Sequence, residues 1–358
     1  MSGCKVGFVW SPQYESFDFG TTHPVRRGRF QSVRDFLLEH GLLDGDQVVM
    51  VNALPLPDDL LTATHSEEYI ESVRMISQTG LGDIEIDTPG FRGILDTARM
   101  TCGGTITGVE SVIAGVLDHF FSPTGGFHHA RRTGGGGFCV FNDVAAAAIL
   151  LKRRGFSRIL IADFDVHHGN GTQEYFYHDP DVMQISFHED PEWMYPHTGL
   201  IEEIGSGRGE GYTINMHFPM DSGDSVYQYA FDQIVPPIVE WYRPEFILLL
   251  PGFDAHYRDR LAHLKLTTAT IRHIAEYCHE AAHRWSRGRI GVLSGGGYSE
   301  VARLWGSAVV MSVLSGRPFV VPSHENTWQD DAETWAEVRR NVAEVKRRVF
   351  PVLGISTG

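Results

Sequence analysis

The apolar run Ile159-Leu160-Ile161-Ala162 leads at once into Asp163-Phe164-Asp165-Val166-His167-His168-Gly169-Asn170-Gly171, and this junction constrains the chain more than any other stretch. An uninterrupted apolar run of this kind suits a strand of a parallel sheet covered on both faces. Acids and histidines crowded at its end are costly to bury unless a cation or a hydrogen-bonded network holds them. Open parallel sheets bind ligands outside the carboxyl ends of their strands, so these polar residues stand where a site belongs. The pattern predicts a strand over 158–166, along which alternation turns Asp163, Asp165 and His167 to one side. Gly169 and Gly171 allow the chain to turn tightly after it.

A second junction has the same form: Phe246-Ile247-Leu248-Leu249-Leu250-Pro251-Gly252-Phe253-Asp254-Ala255-His256. Further strands are expected over 6–10, 48–51, 182–187, 212–218, 246–251 and 290–293. Helices are expected over 142–154, ending before Gly155, and over 268–287, with threonines near its start as caps. A last helix is expected over 331–349, where Trp335, Val338, Val342, Val345 and Val349 fall at helical spacing as a packing face and Pro351 follows. The proline clusters 55–57 and 236–237 read as loops. Alternating strands and helices predict a doubly wound α/β fold, and no linker or repeat divides residues 1–358, so one domain is expected.

Composition narrows the function. A 42% hydrophobic content supports a large core, and no apolar run reaches the roughly 18 residues of a membrane span. Residues 1–8 lack the pattern of a secretory signal. The four cysteines, Cys4, Cys102, Cys139 and Cys278, form no CxxC pair, so neither a disulfide framework nor a cysteine metal site is expected, and a cytoplasmic location fits. A net charge of −15 argues against a nucleic-acid partner. The acidic balance otherwise reads as ordinary solubility.

The strand ends offer chemistry. Asp165, His167 and Asp254 make three protein ligands for one cation and leave a fourth position open, as a catalytic zinc needs. Iron(II) also suits such an oxygen and nitrogen set. With 18 histidines in 358 residues, roughly one adjacent pair arises by chance, so neither His128-His129 nor His167-His168 carries weight alone. A single aspartate at a strand end is often only a helix cap. The glycine-rich stretch around His128-His129 reads equally as a flexible loop or as a base and acid pair near a metal. Gly295-Gly296-Gly297-Tyr298 presents a phenol that can stabilise an oxyanion, or a packed tyrosine on a plain turn; no Gly-Lys-Ser/Thr follows, which excludes a P-loop.

Taken together and in order, several pieces resemble one family. They are Phe17-Asp18-Phe19-Gly20 with His23-Pro24, His65 with Tyr69-Ile70, Gly103-Gly104-Thr105, His128-His129-Ala130, Gly137-Phe138-Cys139, Asn142-Asp143, residues 163–172, Gly252-Phe253-Asp254-Ala255-His256 and Gly295-Gly296-Gly297-Tyr298. The chain resembles the zinc-dependent histone deacetylases and their bacterial relatives, the acetoin-utilisation-type proteins and acetylpolyamine amidohydrolases, over about residues 6–310. The resemblance implies the arginase/deacetylase fold, a single domain with a central parallel sheet of about eight strands flanked by helices. It implies Asp165, His167 and Asp254 as zinc ligands, and His128, His129 and Tyr298 as catalytic residues. Asp163 and Asn170 fall on the partners that orient the two histidines. Gly137 and Phe138 fall on one wall of the acyl tunnel, Tyr195 on the opposite wall, and Asp87 on the rim that holds the substrate backbone. A potassium ion is implied beside the zinc, through Asp163, Asp165, His167, Ser186 and Phe187.

Some positions depart from the family pattern. Pro251 precedes Gly-Phe-Asp, Arg260 stands where proline is common, and His197 where glycine is common; the run 134–137 suggests a pliable tunnel mouth. The expected reaction is removal of an acetyl or other acyl group from a lysine side chain in a protein or peptide. An acetylated polyamine or another small N-acetyl compound is the alternative substrate. Other readings are a weakly active acyl-lysine binder and an arginase-like ureohydrolase, which a metal count would separate. A homo-oligomer is left open.

Overall fold

Each apolar run forms a strand, and the strands join edge to edge. The computed structural model describes residues 4–356, so positions 1–3 of the N-terminal stretch lie outside it. In chain order the strands are β1 (Val6–Trp10), β2 (Val48–Asn52), β3 (Asp83–Glu85), β4 (Thr88–Pro89), β5 (His119–Ser122), β6 (Ile159–Asp163), β7 (Val182–Glu189), β8 (Thr213–Phe218), β9 (Phe246–Leu250) and β10 (Ile290–Leu293). β3 and β4 form a small antiparallel pair. The other eight make one sheet in the order β2-β1-β5-β10-β9-β6-β7-β8, parallel throughout. Every residue of β6, β7, β9 and β10 is buried, as a sheet with helices on both faces requires. The eight-stranded α/β domain expected from the sequence is therefore present.

The strand order positions the site. β10, β9, β6 and β7 are consecutive neighbours, and Asp163 pairs in register with Leu250 on one side and Ser186 on the other. The loops leaving these strands must meet above them. β5 escaped the sequence reading because its four residues, His-Phe-Phe-Ser, are too few to show a pattern.

Three local expectations need correction. The strand predicted over 158–166 stops at Asp163, because the residues beyond it form side-chain to backbone turns. Pro236 and Pro237 lie inside the helix Asp224–Tyr242, not in a loop. Ile234, Val235, Ile238 and Val239 are fully buried around them, and that packing outweighs the lost backbone bonds. The C-terminal helix runs from Ala332 to Leu353, past Pro351, because Phe350 and Leu353 extend the buried face of Val338, Val342, Val345 and Val349. Other features follow the sequence. Asn142 caps the helix Asp143–Arg153, and Thr267 caps Thr268–Trp285. The four cysteines are free. No described helix is long and apolar enough to cross a membrane.

Candidate active site

The loop after β6 folds on its own acids. Asp163 Oδ1 accepts the Asp165 N–H at 3.2 Å, and Asp165 Oδ1 accepts the His167 N–H at 3.0 Å. These two successive turns of aspartate onto the backbone two residues ahead, not strand alternation, bring Asp165 and His167 together. Asp254 arrives from the turn after β9. Gly252 adopts a left-handed φ of 70° there, and a Cβ on it would strike the Phe164 carbonyl. The Val166 N–H then binds Asp254 Oδ1 at 3.1 Å, which ties the two loops.

Asp165, His167 and Asp254 each bring a donor atom within 4.8 Å of the others. His167 Nδ1 lies 3.2 Å from Asp165 Oδ1 and 3.3 Å from Asp254 Oδ2. Asp254 Oδ2 is buried and makes no hydrogen bond. An orphaned carboxylate oxygen beside a second buried carboxylate is the environment a cation satisfies. Burial, then Asp165, pushes the Asp254 carboxyl up to about 7. Burial opposes charge on His167, but Asp165 and Asp254 hold it up to about 10, so a proton takes the cation's place in the metal-free protein. Gly296 completes the cradle: its N–H binds Asp165 Oδ2 at 2.6 Å, and an added Cβ would collide with both carboxylates.

The histidine pair sits beside these donors. His128 Nδ1 is 2.8 Å from Asp163 Oδ2, His129 Nδ1 is 2.8 Å from Asn170 Oδ1, and the two Nε2 atoms are 3.1 Å apart. Burial works against a proton on His128, yet Asp163 and Asp165 raise it to about 9. Burial, then the charges of His128 and His167, drives His129 well below the ordinary histidine range. One ring is thus an acid and the other a base.

The loop carrying the pair is buried, and its support explains motifs that had no assigned role. Asp143 accepts the N–H groups of Gly126 and Phe127 and the hydroxyl of Thr105. Asn142 Nδ2 donates to the Ala130 carbonyl at 2.9 Å. His65 in turn donates from Nδ1 to the Arg131 carbonyl and accepts the Asn142 N–H on Nε2, at 2.9 and 3.0 Å. Protonating His65 destroys that acceptor, and burial pushes its pKa down to about 4. A histidine lowered in the fold favours the folded state above its unfolded pKa and loses that advantage as pH falls toward the folded value. The stability margin of the wild type over His65→Gln should therefore shrink by up to about 3 kcal/mol between about pH 6.5 and pH 4. Denaturant unfolding of the chelator-treated proteins measures this, and a margin independent of pH would refute it.

Tyr298 faces the same cavity. A narrow cavity of about 40 Å³ is lined by His128, His129, Asp165, Gly137, Phe138 and Tyr298, among others. Burial, Asp254 and Asp165 push the phenol well above its usual pKa, so it is a hydrogen-bond donor at neutral pH. The sequence reading missed the residues that position it. Asp259 Oδ2 accepts the Tyr298 and Ser299 N–H groups at 2.5 and 2.9 Å. Arg29, buried, donates to the Gly297 carbonyl at 2.7 Å and lies over the Tyr298 ring at 5.1 Å. The motif spacing gave no signal for either.

The remaining predicted residues surround this cavity. Phe138 packs edge-on against Tyr298, with centroids 5.4 Å apart, and Tyr195 against His129 at 5.0 Å. Gly137 lies between His129 and Tyr195, and a Cβ there would meet both rings. Asp87 accepts the Gly137 N–H on both oxygens at 3.1 Å, and Thr88 accepts the Phe138 N–H at 3.0 Å. The glycine run is therefore pinned, not pliable. His197 has a left-handed φ of 63°, the conformation that glycine adopts without cost, and its ring donates to the Pro191 carbonyl at 2.9 Å.

Comparison with known proteins identifies the family. A histone deacetylase domain model matches residues 23–313. A probable deacetylase of Archaeoglobus fulgidus is 33% identical over 352 residues, spanning 96% of this chain and 97% of that protein. The acetoin utilization protein AcuC of Bacillus subtilis is 32% identical over 331 residues, spanning 89% and 83%. The crystal structure of the HDA15 HD domain aligns with a TM-score of 0.85 at 27% identity, covering 98% of this chain and 97% of that one. The chain belongs to the histone deacetylase family of amide hydrolases, enzymes that generally work with a catalytic metal.

Proposed function

We propose that this enzyme removes acetyl groups from lysine side chains of proteins or peptides, with a zinc ion held by Asp165, His167 and Asp254. The observation that carries the reading is the buried, unpartnered Asp254 oxygen facing Asp165 and His167 in the same site as a polarised histidine pair. A cation held there supplies Lewis-acid polarisation of the acyl carbonyl and lowers the pKa of an attacking water.

The chain's own residues do the rest. His129, kept neutral and fixed through Nδ1 by Asn170, takes a proton from the water. Tyr298 donates its hydroxyl proton in a hydrogen bond to the carbonyl oxygen as negative charge develops on it. His128, charged and braced by Asp163, delivers a proton to the departing amine nitrogen as the C–N bond breaks, giving acetate and a free lysine. Gly137, Phe138 and Tyr195 wall the acyl tunnel. Asp87, anchored by the Gly137 N–H, keeps lone pairs for a backbone N–H of the substrate. A potassium ion among Asp163, Asp165, His167, Ser186 and Phe187 is part of the same reading; the register pair Asp163 and Ser186 supports it.

The surroundings favour a lysine side chain over a polyamine. A cavity of about 500 Å³ adjoins Tyr298 and is lined by Arg26, Arg27, Arg29, Arg260 and Arg303 against one acid, Glu300. These arginines on the Tyr298 side of the site disfavour a polycation more than the neutral acetylated side chain of lysine. An acetyl-lysine peptide should be turned over at least about 10-fold more efficiently than acetylspermidine, by kcat/KM, and a chelator should abolish both activities. Equal or reversed preference would discard the peptide assignment. Chelator-resistant turnover would discard the metal.

A further inference from the structure

At the opposite end of the sheet, three histidines and a cysteine converge on one point. His119 opens β5, His279 and His283 lie one turn apart on the helix Thr268–Trp285, and Cys4 precedes β1. His279 Nε2 stands 3.1 Å from both His119 Nε2 and His283 Nε2, and Cys4 Sγ is 3.8 Å from His283 Nε2. Cys4, His119 and His283 each bring a donor within 4.8 Å of the other two. With strands of four or five residues, this cluster lies roughly 15 Å or more from the deacetylase site.

Protons alone satisfy this arrangement poorly. His119 Nδ1 donates to the Gly288 carbonyl at 2.6 Å, which leaves its Nε2 as a lone pair aimed at the cluster. His279 Nε2 is shared by both nitrogen contacts and can act in only one capacity. Neutral rings therefore make at most one full N–H···N bond among three nitrogens. A tetrahedral cation with nitrogen ligands near 2.05 Å and a sulfur ligand near 2.3 Å needs ligand separations of roughly 3.3–3.6 Å. Two N···N contacts of 3.1 Å and one S···N contact of 3.8 Å are near those values, and with Cys4, His119 and His283 within 4.8 Å of one another, small side-chain shifts would close the set around a cation.

We propose that His119, His279, His283 and Cys4 form a second metal site, for a borderline transition-metal cation such as zinc. The donor set of three nitrogens and one sulfur suits zinc and the later first-row metals, and excludes magnesium and calcium. On binding, the cation displaces the Cys4 thiol proton to solvent. The site joins three separate segments of the chain and stabilises the fold where they meet. Scattered over positions 4, 119, 279 and 283, the ligands have none of the short spacings by which a cysteine metal site is read from sequence.

Metal analysis of the full chain tests this. Protein depleted of metal, reloaded with zinc and desalted should hold two equivalents per chain. His279→Ala/His283→Ala should hold one and keep its deacetylase activity, whereas Asp254→Asn should hold one and lose that activity. Because His283 is exposed, the single His283→Ala variant keeps its fold, and it should bind the second equivalent at least about 100-fold more weakly. Cobalt-loaded wild type and cobalt-loaded Asp254→Asn should both show thiolate-to-metal absorption, which Cys4→Ser removes. The double-histidine variant retaining two equivalents overturns the second site. So does a wild type that binds one equivalent and loses it in Asp254→Asn. Wild type that holds two equivalents yet leaves acetyl-lysine unhydrolysed would overturn the deacetylase reading instead.

Discussion

Asp254→Asn should weaken zinc binding at least about 100-fold and lower acetyl-lysine hydrolysis roughly 10³-fold, while leaving the metal-free protein no less stable than wild type. The two halves of this expectation have one cause. Asp254 Oδ2 is buried without a hydrogen-bond partner, and burial together with Asp165 already pushes its carboxyl up to about 7. In the metal-free fold, pairing with the charged His167 only partly offsets the cost of burying the second carboxylate beside Asp165. An asparagine keeps Oδ1 for the Val166 N–H and removes the repulsion. With zinc present the order reverses, since only the wild type gains binding energy in the folded state. Unfolding midpoints with and without zinc, beside a zinc titration, measure both halves. A variant that holds zinc as tightly as wild type would remove Asp254 from the ligand set. A variant markedly less stable in the metal-free state would show that the carboxylate serves the fold rather than the cation.

Tyr298→Phe should retain the metal and lose about 10²- to 10³-fold in kcat, with a much smaller change in KM. The phenol contributes a hydrogen bond that strengthens only as charge appears on the substrate oxygen, so its loss falls on the transition state. The ring itself should stay in place. Asp259 holds its backbone through two N–H groups and Arg29 packs on its face, and neither contact uses the hydroxyl. Steady-state kinetics on an acetyl-lysine peptide, with metal content measured on the same sample, separates this from a folding defect. Turnover close to wild type would end the oxyanion assignment.

Much of this site is legible along the chain. The apolar run 159–162 marks a buried strand, and the acids and histidines that follow cannot be core residues without a partner. The same logic finds Asp254, and the glycine run 295–297 marks Tyr298. Residues that act by support are harder to see. Asp259 reaches Tyr298 across 39 positions, and Arg29 reaches Gly297 across 268. His65 and Asn142 carry the His128-His129 loop through side-chain to backbone bonds that leave no periodic trace. Where local rules misled, one cause was tertiary packing and the other a competing local contact. Buried neighbours keep Pro236 and Pro237 helical, and aspartate turns, rather than alternation, gather Asp165 and His167.

The sequence by itself determined which chemical groups stand at the carboxyl ends of the strands, because apolar runs and their polar ends are local patterns. Only the tertiary structure decided which strand ends are neighbours, since parallel strands pair through crossovers packed at long range and no local signal sets their order. The adjacency of β9 and β6 brings Asp254 to Asp165, and that of β9 and β10 brings the Tyr298 loop beside them. At the other end of the sheet the same order brings His119 beneath the helix that carries His279 and His283.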